Sequence, residues 1–269
     1  MNKNRNKKPL VSVIVAAYNE ECFISKSIES ILNQTLNDIE LIIVDDGSTD
    51  GTWDIINGLV EKYKEKNIRA FKHKNNLGVP IAYNTGIEEA NGKYIAQMNA
   101  DDYSLPSRLE KQTKFLENNP KVGIVGTFGV LKRNYSDKIG VKRLVRPLTD
   151  KKIKRLSFFT DPFLHTSIMV RDEVINKVGK YSDEKEIFYD YEFCIRVLSN
   201  FKGTNIPEPL VLINEHKNSV TANFSKKEYF LRRTNTQLKA LEMLPTWCPP
   251  LAFTKSLIRN IVSFLIPKS

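Results

Sequence analysis

The chain has 269 residues, with 41 Lys and Arg against 31 Asp and Glu, a formal charge of +10. A hydrophobic share of 41% excludes a disordered chain, and the length suits one large domain or two small ones. Cys22, Cys194 and Cys248 are too far apart for a CxxC pair, which argues against a disulfide scaffold, a zinc ribbon or a thioredoxin-type site, and for a reducing, cytoplasmic setting.

Residues 11–17 are an apolar, β-branched run. A basic stretch precedes it, as in a signal peptide, but it stops at Asn19-Glu20 with no small-residue cleavage site, so it reads as a buried strand. Ile24, Ile28, Ile31 and Leu32 then recur at helical spacing, and residues 39–44 are strand again. Trp53, Ile56, Leu59, Val60 and Tyr63 mark a second helix, residues 68–71 a short strand, residues 81–90 a third helix and residues 94–98 a fourth strand. Strict alternation with short connections predicts an α/β fold with a mostly parallel central sheet flanked by helices.

Further along, Ile187, Tyr191, Cys194, Ile195 and Leu198 outline the core face of another helix. Near the end, Leu251, Leu257, Ile258, Ile261, Val262, Leu265 and Ile266 fall largely on one helical face beside Lys255 and Arg259. Those charges interrupt residues 249–267 too much for a bilayer span; the pattern suits a helix on an anionic membrane surface or one packed on its own domain. The positive charge sits in residues 1–10, 131–155 and 225–269, leaving the rest of the body acidic. No zinc-finger spacing or RNP-like aromatic motif accompanies these basic residues, so nucleic acid is not an expected partner.

Ligands of open parallel sheets bind beyond the carboxyl ends of the strands. Those ends carry Tyr18-Asn19-Glu20, the Asp45 to Asp50 loop, Asn75 to Gly78, and Asn99-Ala100-Asp101-Asp102. Neither GxGxxG nor a P-loop is present, so dinucleotide and P-loop chemistry lose support. Gathered carboxylates repel phosphate unless a divalent cation lies between, and Asp101, Asp102 and Asn99 are hard oxygen donors suited to Mg²⁺ or Mn²⁺. The alternative is helix capping, with Asp46 and Asp50 serving the helix near Thr52, and Asp102 and Ser104 the one after Pro106.

VIVAAYNE (residues 13–20), ELIIVDDGSTDGT (40–52), NNLG (75–78) with Asn84 and Gly86, YIAQMNADDYSLPSRL (94–109), HTSIMVR (165–171) and DYEFCIR (190–196) together resemble a family 2 inverting glycosyltransferase of GT-A fold. The resemblance implies a catalytic domain over residues 1–222, its nucleotide-binding half about 9–110 and its acceptor half about 111–222. Residues 223–269 remain as a basic, amphipathic helical extension. It implies that Asp46 accepts the uracil imide hydrogen, with Ala17 and Tyr18 beside the base and Glu20 nearby. Asp101 becomes the metal ligand, and Asn99 the nucleotide contact standing where the family usually has an acid. Asp190 matches the catalytic base, preceded by Tyr189 where the family usually has Glu. A lone histidine is more often a structural hydrogen-bonder than a ligand; of His165 and His216, His216 is the candidate to approach metal or diphosphate.

The implied reaction is metal-dependent transfer of one sugar from a UDP-sugar to a hydroxyl of a glycan or lipid-linked acceptor, in surface-polysaccharide assembly at the inner face of the membrane. Two other readings stay open: a nucleotide-sugar-binding module that has lost catalysis, suggested by Asn99 and Tyr189, and a sugar nucleotidyltransferase, which should carry a glycine- and basic-rich loop that this chain lacks.

Overall fold

The computed structural model describes residues 8–134, 139–216, 224–244 and 247. The first half runs β1 (Val11–Ala17), α1 (Ile24–Leu32), β2 (Ile39–Asp45), α2 (Thr52–Lys62), β3 (Ile68–Lys72), α3 (Val79–Glu89) and β4 (Tyr94–Asn99). β1 pairs in parallel with β2 and β4, and β2 with β3, so all four strands end on one edge. Side-chain alternation explains why both faces are covered. Val11, Val13 and Val15 of β1 pack with Ile24 and Ile28 of α1, whereas Ile14 points the other way against Tyr83 of α3.

The second half adds β5 (Tyr103–Ser104), α4 (Arg108–Asn118), β6 (Val122–Asn134), β7 (Ile139–Leu144), α5 (Asp150–Leu156), a 3₁₀ turn (His165–Ser167), β8 (Met169–Arg171), α6 (Asp172–Val178), α7 (Tyr189–Asn200), β9 (Lys202–Glu215) and α8 (Lys226–Met243). The sheet order is β3-β2-β1-β4-β8-β6-β9-β5, with β7 on β6. The parallel core is the one the alternation predicts, and antiparallel β8 joins it to the β6–β9 pair. β9 runs parallel to β6, its register shifting near Phe128 opposite Pro209, where proline supplies no ladder N–H. That long strand carries Asn214 and His216 back to the carboxyl end of β4.

Arg108 anchors α4 beneath β4. It is fully buried, and its guanidinium donates to Gln112 Oε1, the Gln97 carbonyl and Met98 Sδ. Burial lowers its pKa to about 10, which leaves it charged at neutral pH. α8, at the start of the segment expected to be an extension, packs on the rest of the described chain. Arg233 and Gln237 donate to the Phe159 carbonyl, Thr236 Oγ1 accepts the Phe188 N–H, and Ala240 and Leu244 join the core that holds α7. The amphipathic stretch at 251–266 lies outside the described residues. No helix among the described residues is long and apolar enough to cross a membrane.

Candidate active site

The loops after β1 and β2 are stitched together, and this sets the direction of Glu20. Asn19 has a positive φ of 55°, a conformation asparagine tolerates better than most residues, and its Oδ1 accepts the Thr49 N–H at 2.9 Å. The Asn19 N–H donates to Ser48 Oγ at 2.9 Å and the Glu20 N–H to Thr52 Oγ1 at 2.7 Å. Asp50 accepts from both the N–H and the hydroxyl of Thr52 at the start of α2, so its capping role is real.

The other capping expectations are corrected. The Asp46 carboxylate bonds to His73, Leu77 and Gly78 and makes no cap of α2. Asp102 accepts the Asn214 N–H and the Asn99 amide, and Ser104 bonds to Ser30 and Gln34. The residue before α4 is Ser107, which makes no side-chain cap. Both Asp102 and Ser104 are buried in a long-range network, which local spacing does not reveal.

Glu20, Asp101 and His216 meet at the edge. His216 Nε2 lies 3.2 Å from Asp101 Oδ2 and 4.0 Å from Glu20 Oε2, and one ligating atom from each falls within 4.8 Å of the others. The imidazole stacks on Phe23 with centroids 4.7 Å apart, and Asn214 Nδ2 donates to the Asp101 carbonyl. Glu20, expected beside the nucleotide, thus stands with the two expected metal ligands. Burial, then Asp101 and Asp50, pushes Glu20 up to about 8. Burial also raises Asp101, against the lowering influence of His216, and drives the adjacent Asp102 well above the carboxylate range. Negative charge accumulates here without enough compensation, and two carboxylate oxygens with one imidazole nitrogen form a donor set that fits Mg²⁺ or Mn²⁺.

Asn99 turns inward. Its Nδ2 donates to Asp102 Oδ2 at 3.0 Å, its Oδ1 lies 2.9 Å from the Tyr83 hydroxyl, and its N–H donates to Thr166. Both ends of the side-chain amide therefore have partners within the chain.

Asp46 is 2% exposed at the end of β2. Its Oδ1 lies 2.7 Å from His73 Nδ1 and accepts the Leu77 N–H, and its Oδ2 accepts the Gly78 N–H at 2.8 Å. The carboxylate thereby fastens the loop between β3 and α3 to the sheet edge. The next residue must be glycine. Gly47 has φ of 75°, and a Cβ there would stand 2.5 Å from the Asn75 carbonyl carbon. Ala17 accepts the Asp46 N–H at 2.8 Å, and Tyr18 is 40% exposed next to it.

Asp190 lies in the first turn of α7, where the helix dipole favours a carboxylate. Tyr83 and Tyr189 each feel the charges of both Asp190 and Asp101, so the two acids act on the same pair of buried rings. Tyr189 and Tyr181 pack edge-on against His165, whose Nε2 lies 2.8 Å from the Tyr181 hydroxyl. Burial lowers the His165 pKa, and the ring is a structural member of this aromatic group. Glu192 is bound to Arg196 at 2.6 Å and buried. In the basic stretch, Arg133 pairs with Glu215, Lys154 with Asp150, and Arg146 donates to the Phe163 carbonyl. Sequence reasoning missed Asp161 and Arg233, which share a cavity with Asp190; nothing in their local pattern marks them.

Residues 12–179, more than half of the chain, match the profile described as glycosyl transferase family 2, and the chain belongs to that family. It is 36% identical over 211 residues to an uncharacterized glycosyltransferase of Methanocaldococcus jannaschii, covering 76% of this chain and 70% of the relative. It is 44% identical over 108 residues, 40% of this chain and 41% of the relative, to the Escherichia coli UDP-Glc:alpha-D-GlcNAc-diphosphoundecaprenol beta-1,3-glucosyltransferase WfaP. Among solved structures it resembles S. aureus TarS 1-349 in complex with UDP (TM-score 0.66, 19% identity, 95% of this chain, 71% of that one). It also resembles the mannosyltransferase PcManGT from Pyrobaculum calidifontis with GDP-Man and Mn²⁺ (TM-score 0.67, 17% identity, 98% and 77%). The fold is therefore that of the GT-A transferases, and the chain is an enzyme of the glycosyltransferase class.

Proposed function

We propose that this protein is an inverting transferase that moves one sugar from a UDP-sugar to a hydroxyl of a glycan or lipid-linked acceptor. The observation that carries the reading is the convergence of Glu20, Asp101 and His216 at the strand edge, with Asp190 near enough that its charge and that of Asp101 act on the same Tyr83 and Tyr189 rings. A divalent cation bound by the three would offset negative charge on the departing diphosphate. Asp190 takes the proton from the acceptor hydroxyl as its oxygen bonds to the anomeric carbon from the side opposite the diphosphate. The bond to UDP breaks with its electron pair, and Asp190 later releases the proton to solvent. Asp46, with Ala17 and Tyr18, lies at the sheet edge where the nucleobase binds in this reading.

The lipid-diphosphate acceptor in the name of WfaP and the UDP bound to TarS support this choice of substrates. Such an acceptor would be met at the cytoplasmic face of a membrane. The test is hydrolysis of a panel of UDP-sugars and GDP-mannose with Mn²⁺ or EDTA. Mn²⁺-dependent release of UDP from one UDP-sugar is the expected result. Release from none, with UDP bound, would instead favour the binding module that Asn99 and Tyr189 suggest.

A further inference from the structure

Asp161 lies in the segment between α5 and the 3₁₀ turn, and its Oδ1 accepts the Phe163 N–H at 2.9 Å in an Asx turn. With Asp190 it lines a cavity of about 150 Å³ where that segment meets the first turns of α7 and α8. Phe188 and Tyr229 supply aromatic walls and Arg233 a guanidinium, pinned by its bond to the Phe159 carbonyl at 2.8 Å. Arg146, which donates to the Phe163 carbonyl, is near enough for its charge to act on Asp161. Two carboxylates therefore open into one small space, each from a different element.

We propose that Asp161 is a positioning residue for Asp190, the two carboxylates acting as a pair across this cavity. The inference rests on the reading of Asp190 as the base. Burial and the charge of Asp190 push Asp161 up to about 7, with Arg146 opposing the rise. Near neutral pH Asp161 therefore changes charge beside the Asp190 carboxylate. Tyr191 and Cys194, the other titratable groups of α7 that feel Asp161, are driven well above their usual values and stay neutral. Tyr229 and Arg233 of α8 line the same cavity, Arg233 opposing the rise of Tyr191, and Arg146 acts on Asp161 from outside that lining. When Asp161 ionises, the second negative charge favours proton uptake by its partner, so the rate of a base-catalysed transfer should rise as pH passes through the ionisation of Asp161.

The experiment is carbon NMR of the full chain labelled at the aspartate carboxyl carbons, titrated from about pH 4 to about pH 9, a range that brackets ordinary and raised carboxyls. A resonance with a midpoint near 7 is expected, absent in Asp161→Asn and moved down in Asp190→Asn. Arg146→Gln alters neither carboxylate and should move it up. A midpoint in the ordinary carboxylate range, or one indifferent to both Asp190→Asn and Arg146→Gln, overturns the pairing. In the donor-hydrolysis assay, the limb of the pH profile near 7 should vanish in Asp161→Asn; a limb that persists there also overturns it. The NMR result does not depend on any substrate. An intact pairing with fully active Asp190→Asn would reject the base assignment instead.

Discussion

Asn99 donates its side-chain amide to the buried carboxylate of Asp102 at 3.0 Å, at the position where an acid is usual in this family. Replacing it by aspartate sets two carboxylates against each other in a site already crowded by Asp101. Asn99→Asp should destabilise the metal-free protein by about 1–3 kcal/mol, the cost of a lost partner for a buried polar group. The new acid would have a raised folded-state pKa, so the loss should be full at high pH and shrink as pH falls through that pKa. Urea denaturation at several pH values measures both.

Glu20 gives a second pH dependence. Its folded-state pKa of about 8 lies above the ordinary 4.5, so between those values the folded protein holds a proton that the unfolded chain has released. Stability of the metal-free protein should therefore fall as pH rises from 4.5 through 8 and then level off. Glu20→Gln should flatten that slope, as measured by denaturation in EDTA.

Cation binding should act on the same cluster. Mn²⁺ at about a hundred times its dissociation constant should stabilise the wild type by about 2.7 kcal/mol. Asp101→Ala should remove that gain and abolish turnover while keeping the fold, checked by thermal melts with and without metal beside the hydrolysis assay. Undiminished turnover in Asp101→Ala, or in wild type with EDTA, would reject the metal bridge.

Asp190→Asn keeps size and removes basicity. Loss of general-base catalysis should lower the rate by about 10² to 10⁴ with UDP affinity little changed, as read by calorimetry beside kinetics. Glu192, the nearest other carboxylate in that turn, is committed to Arg196 and offers no substitute.

Asp46→Ala should have two effects, because Asp46 is the proposed reader of the base and also accepts the N–H groups of Leu77 and Gly78. A charge-assisted hydrogen bond is worth about 1.5–3 kcal/mol, so UDP should bind about tenfold to a hundredfold more weakly and the melting temperature should fall. The gap between UDP and CDP separates the two effects. If the variant narrows it, Asp46 reads the base; if both nucleotides weaken equally, it acts through the loop.

The parallel four-stranded core and the loops that gather at its edge were legible in the residues alone. Strand and helix periodicity is local, and in a right-handed βαβ arrangement the carboxyl ends of parallel strands necessarily share an edge. The sequence also named Asp101 as a candidate ligand through the family motifs, and His216 as a weaker one. Which way the polar side chains at that edge turn depends on long-range packing. Asn99 and Asp102 face inward because Tyr83 from α3 and Asn214 from β9 reach them there. Glu20 joins Asp101 and His216 because the β6–β9 pairing returns the chain to β4 after more than a hundred residues. Asp161 meets Asp190 only once α7 and α8 have packed against the segment after α5. These contacts depend on strand order, register and helix docking, which are set by the summed burial of the whole core and leave no periodic trace in the residues that make them.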